Sequence, residues 1–137
     1  MLHTTVTNMG MNDAKNTSIT LGTVLIVIWF LAFISNPIVG PSGLFLTNRA
    51  HDGVHILSGL ILLISGFVSE IFAIRTIQTF GIIYLIIAIL GLLMGNGMLL
   101  GLIEINTWDN ILHIVIAVVV LYLGFGVLKN KSNRDNM

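Results

Sequence analysis

The chain has 137 residues, 55% of them hydrophobic and 9% charged, with a formal net charge of zero and no cysteine. A mean hydropathy of +0.99 places it among polytopic membrane proteins rather than soluble domains. The charge balance leaves no basic surface for nucleic acid, and the lack of cysteine excludes disulfides, thiolate zinc sites, cysteine-held iron–sulfur clusters and covalently attached haem.

In chain order, residues 1–16 are polar and read as a flexible cytoplasmic tail. Charge is absent between Lys15 and Arg49, between Arg75 and Glu104, and between Asp109 and Lys129. Each gap holds an apolar run long enough for the ~20 helical residues that a bilayer requires. The runs predict spans at Ile19–Val39, Val54–Ile74, Ile77–Gly101 and Ile111–Leu128, with a turn near Arg75 between the second and third. Residues 17–128 thus form one four-helix transmembrane domain, and 129–137 form a second cytoplasmic tail. Continuous Leu, Ile and Val without two-residue alternation excludes a β-barrel. The segment Asn36–Asn48 carries Pro37, Gly40, Pro41 and Gly43 and is expected to be a non-helical extracytoplasmic loop. The first apolar segment has no small-residue cleavage site before Pro37, so it reads as an uncleaved span. Lys15, Arg75, Lys129, Lys131 and Arg134 fall on one side of this arrangement and Arg49 alone on the other, which puts both termini in the cytoplasm of a multi-pass cell-membrane protein.

Two stretches 58 positions apart share a pattern: Asn48–Phe67 (NRAHDGVHILSGLILLISGF) and Asn106–Phe125 (NTWDNILHIVIAVVVLYLGF). Asn48/Asn106, His55/His113 and Gly66/Gly124 coincide, and Gly59 matches the small Ala117. The fold class that follows is all-α membrane, a four-transmembrane-helix bundle built from two tandem parallel helical-hairpin repeats. With two spans per repeat, the second hairpin enters the membrane in the same direction as the first. If Asn48 and Asn106 cap their helices, His55 and His113 lie at equal depth, about 10 Å inside the same end.

Steps of three and four residues carry His51 and His55 into a small, polar stripe of Ser58, Gly59, Leu62, Ser65, Gly66 and Ser69. The matching face of the last span carries Asp109, His113, Ala117, Val120 and Gly124. Small residues line helix contacts in lipid, so both histidines are expected in the bundle interior. Gly91/Gly95 and Gly97/Gly101 predict further close-packing faces, and Asn36 and Asn96 are expected to bond between helices. Trp108 fits an interfacial anchor.

The ionisable residues at that end admit several chemistries. His51, His55, Asp109 and His113, with Asp52 and Glu104 nearby, are an inventory for a divalent metal such as zinc or for a proton-sensitive switch. His55 and His113 alone have the placement of bis-histidine ligands to a b-type haem, with Arg49 the one arginine near its propionates. The plainer reading has Asp52 and Asp109 favouring their helix N-termini and the histidines bonded to backbone carbonyls or carboxylates. Deep charge is missing from every span, which argues against proton or solute transport through one chain.

The run Phe80–Phe125 (FGIIYLIIAILGLLMGNGMLLGLIEINTWDNILHIVIAVVVLYLGF) resembles the domain-of-unknown-function 4383 family of small four-helix membrane proteins. The shared order is Gly101, Leu102, Ile103, Asn106, Asp109, Leu112, His113, Gly124 and Phe125, and the earlier Asp52, His55 and Gly59 resemble the family's first Asp/His/Gly element. Members often carry Pro where this chain has Glu104. The resemblance spans roughly residues 20–128 and implies architecture without activity. Sequence alone therefore points to a non-enzymatic structural or accessory component, with a metal- or haem-binding redox or transport component as the alternative. Its expected partners are the lipid bilayer and either a second copy of itself or a larger membrane complex.

Overall fold

The apolar runs fold as helices, the conformation in which a continuous hydrophobic segment satisfies its own backbone. The computed structural model describes residues 13–137, Asp135 by its backbone alone. Helix α1 is Asp13–Leu31, α2 Arg49–Val68, α3 Glu70–Met94 and α4 Thr107–Leu121. A π-helical stretch, Tyr122–Leu128, carries α4 into α5, Lys129–Asp135. Four helices, Asp13–Leu31, Arg49–Val68, Glu70–Met94 and Thr107–Arg134, are long and apolar enough to cross a membrane. Their outward side chains are bare hydrocarbon: Leu93 is 78% exposed and Phe67 69%.

The helices start and stop where caps dictate, so several predicted boundaries move. Residues 1–12 of the expected N-terminal tail lie outside the described residues, and Asp13–Asn16 form the first turn of α1 instead of tail. That helix ends at Leu31, well before Val39, because the Asn36 amide gathers the carbonyls of Leu31, Ile34 and Val39 at 2.7–3.1 Å while its Oδ1 accepts from Ile38 N and Val39 N. Asn36 thus organises its own loop, not an interhelical contact. The turn expected near Arg75 lies at Ser69, whose extended backbone ends α2 and whose hydroxyl accepts from Phe72 N to start α3. Helix α3 stops at Gly95 (φ 72°), ahead of the predicted Gly101. The C-terminal tail expected from residue 129 is helical as far as Asp135.

Two short ribbons modify the all-helical expectation, both at the end of the bundle where α2 and α4 begin. β1 (Val39–Gly40) pairs in parallel with β2 (Phe45–Leu46), and β3 (Gly97–Leu99) pairs antiparallel with β4 (Ile103–Ile105). The second is a hairpin turning at Leu100 (φ 53°) and Gly101 (φ 72°), both left-handed as in the turns that suit a twisted hairpin. Gly95 and Gly101 therefore serve a helix stop and a turn, Gly97 (φ 127°) opens β3, and a Cβ at any of them would meet nothing. Only Gly91 of the predicted glycine faces packs closely, against the Asn110 side chain, whose amide donates to Gly91 O at 3.1 Å.

Helix α1 packs most closely on α2, and α3 on α4, while α3 also touches α1 and α2. The small stripe of α2 is the α1 contact. A Cβ at Gly22 would stand 2.6 Å from Gly59 O, and one at Gly59 would stand 2.8 Å from the Ile26 side chain. Ser18 donates to Leu62 O at 2.8 Å and shares a 2.7 Å bond with the Ser65 hydroxyl; interhelical polar contacts of this kind are worth roughly 0.6 kcal/mol each. At the opposite end from the ribbons, Lys131 pairs with Asp13, and Glu70 accepts from Ala14 N at 3.3 Å. The start of α1 and the last helix thus meet there.

Candidate functional site

Asn48 and Asn106 build the ribbon end. Asn48 Oδ1 accepts from His51 N at 3.0 Å and caps α2, and Asn106 Oδ1 accepts from Asp109 N at 2.9 Å and caps α4. Their amides cross over. Asn48 Nδ2 donates to Leu102 O and Asn106 Nδ2 to Leu44 O, each at 2.8 Å. Leu44 and Leu102 are themselves 58 positions apart, so the two bonds are equivalent exchanges between the loops.

One turn further in, His51 and Asp109 occupy equivalent positions with opposite roles. His51, 3% exposed, has Nδ1 2.9 Å from Glu104 O and 3.1 Å from Leu46 O. Both partners are carbonyls, so Nδ1 carries the proton and a neutral ring has its lone pair on Nε2. Asp109, also 3% exposed, accepts from Asn106 N at 2.8 Å and Leu46 N at 3.1 Å. Each therefore fastens its own helix to the loop of the other half.

A cavity of about 290 Å³ lies behind this clasp. His51, His55, Tyr84, Asp109, His113 and Thr47 contribute its polar groups. Leu25, Ile28 and Leu31 of α1 and Leu112 and Ile116 of α4 supply apolar wall on either side. The His51 ring stands 4.6 Å from that of His55 and 6.0 Å from that of His113, and Tyr84 stands 5.8 Å from His113, centre to centre. Thr47 Oγ1, His55 Nδ1 and His113 Nδ1 are buried with no hydrogen-bond partner among the described residues.

The expected metal set of His51, His55, Asp109 and His113 thus shares one cavity without forming a coordination sphere. Backbone groups take His51 Nδ1 and an Asp109 oxygen, and among the described residues no group of three or more His, Asp or Glu is placed to hold a metal ion. Asp52 and the Glu104 side chain sit elsewhere, lining a separate, open cavity of about 420 Å³ with Arg49. Thr47 borders both cavities. For the haem alternative, His55 and His113 do line one space, of about 290 Å³, at the lower end of the roughly 300–1,000 Å³ of drug-sized ligand pockets. Two polar cavity residues, Tyr84 and Thr47, were not singled out by sequence. A tyrosine inside an unbroken apolar run carries no signal of its own.

These features define a class: a four-helix protein of membrane-span character with a histidine-lined cavity at one end of the bundle. The chain belongs to the domain-of-unknown-function 4383 family, whose model matches residues 41–126 and so takes in His51, His55, Tyr84, Asp109 and His113. No curated protein and no solved structure matches it.

Proposed function

We propose that this protein is a non-enzymatic multi-pass membrane component that holds a small, largely apolar molecule bearing one hydroxyl or carbonyl group in the histidine cavity. The observation that carries the reading is the concentration of unpartnered buried polar atoms around that space, in Thr47, His55 and His113. Such an atom costs about 1–3 kcal/mol unless something bonds to it, and native structures keep few of them. The apolar walls and the lone pair left on His51 Nε2 suit a ligand with a single polar handle. The half-exposed Ile28, Leu31, Leu112 and Ile116 in the cavity lining suit a ligand that arrives from lipid.

In this reading the bundle is a tandem of two parallel hairpins with both termini in the cytoplasm. The reciprocal Asn48 and Asn106 bonds support the two-fold relation, and Lys15, Arg75, Lys129, Lys131 and Arg134 near the opposite end support the orientation. Detergent-purified protein, extracted with organic solvent and profiled by mass spectrometry, should release a small apolar species in near one-to-one ratio. His113→Phe, which fills the cavity, should lose it. Near-stoichiometric iron or zinc abolished by both His55→Ala and His113→Ala would overturn the reading in favour of a metal or haem centre.

A further inference from the structure

The end of the bundle far from the histidines holds a second built cleft, of about 290 Å³, between the first turns of α3 and the last helix. Its origin lies in the π-helical stretch Tyr122–Leu128. The wider turn places the backbone of Gly124 against α3, where the Gln78 amide donates to Gly124 O at 2.9 Å and pins the two helices together. A Cβ at Gly124 would stand 3.0–3.3 Å from Gln78, so this spacing depends on the glycine. Beyond it α5 continues past the apolar span, carrying a polar segment alongside the start of α3. Ile71, Ile74, Arg75 and Gln78 line the α3 side of the cleft, and Lys129, Ser132, Asn133 and Asn136 the other.

The basic groups of the cleft are not paired with the acids described at this end. At this end Asp13 is taken by Lys131 and Glu70 accepts from Ala14 N, and residues 1–12 contain no acid. Among the described side chains neither Arg75 nor Lys129 has an acidic partner. The cleft therefore offers a planar guanidinium fork, a point-charge ammonium, a hydroxyl and a side-chain amide, and no carboxylate is among the residues that line it. Guanidinium and ammonium groups together are a common recognition set for phosphate oxygens. The apolar side adds a second element. Ile71 is 59% exposed and continues into a bare band of Phe67, Val68 and Phe72, which a soluble phosphate could not use and an acyl chain could.

We propose that this cleft binds the phosphate-bearing headgroup of an anionic phospholipid, with Arg75 and Lys129 on the phosphate and the Ile71 side against the start of the acyl chains. Basic pockets between spanning helices are suited to such headgroups, and each cation near the surface contributes enough to shift retention about fivefold. Native mass spectrometry of the full chain in detergent, titrated with phosphatidylglycerol or with phosphatidylcholine, tests this. The wild type should retain phosphatidylglycerol preferentially. Arg75→Gln and Lys129→Gln should each weaken retention about fivefold and together roughly 25-fold, while Arg75→Lys and Lys129→Arg keep most of it. Arg49→Gln, at the other end, should change nothing. Equal retention of the two lipids, or glutamine variants that bind like the wild type, would overturn the proposal. Displacement of the lipid by millimolar inorganic phosphate would also overturn it, by marking a site for a soluble anion.

Discussion

Replacing Asn48 and Asn106 by Ser, singly and together, tests whether the ribbon end is a reciprocal clasp. Each asparagine performs two tasks: Oδ1 caps its own helix, and Nδ2 donates at 2.8 Å to a carbonyl of the opposite loop. Serine caps a helix about as well as asparagine but cannot reach across, so the serine variants isolate the crossing bond. A net hydrogen bond contributes about 0.5–1.5 kcal/mol, and these two are solvent-exposed, which favours the lower half of that range. Each single variant should therefore lose about 0.5–1 kcal/mol. Alanine, which removes the cap as well, should cost roughly 1 kcal/mol more. Because both bonds hold the same pair of loops, the first loss loosens the geometry of the second, and the double serine variant should lose less than the sum of the singles. Denaturant titration of detergent-solubilised protein, followed through Trp29 and Trp108, reads these differences. Single variants that differ from one another by more than about 1 kcal/mol, a full bond's worth, would refute the equivalence of the two halves.

Two further substitutions follow from backbone geometry. Gly22→Ala should destabilise the bundle by about 1–3 kcal/mol in the same titration, because the new Cβ would stand 2.6 Å from both Gly59 O and Leu63 N, backbone atoms that cannot step aside; an unchanged midpoint would mean that α1 and α2 are not in close contact. Leu100→Asn should raise stability by about 1 kcal/mol, since a leucine at φ 53° bears the left-handed penalty that asparagine largely avoids, and the side chain is 65% exposed with little burial to lose. A lowered midpoint would indicate that Leu100 is anchored in a contact that outweighs its backbone strain.

The residues that sequence could locate are those it repeats. Asn48/Asn106 and His55/His113 stand out because chance does not place a cap and an interior histidine at one offset twice, and helical spacing then carries the histidines inward. Hydropathy was poorer at boundaries, since it counts apolar residues while helices obey hydrogen-bond stops. The polar start Asp13–Asn16 resembled tail, yet it is helix, and Ser18 in the next turn is buried against Ser65. Ser69 and Asn36 end helices inside runs that hydropathy continues. Glycine spacing was ambiguous for a related reason: Gly91 serves contact whereas Gly95, Gly97 and Gly101 serve positive-φ backbone, and composition cannot separate the two. The same limit governs the site. Spacing brings His51 and Asp109 to the cavity wall, but only the loops that cross from the other half determine where their polar atoms go. Once Glu104 O, Leu46 O, Leu46 N and Asn106 N have been satisfied, these two side chains act as fasteners. His55, His113, Tyr84 and Thr47 line the cavity beside them, and two of those four lie outside any pattern that the sequence repeats.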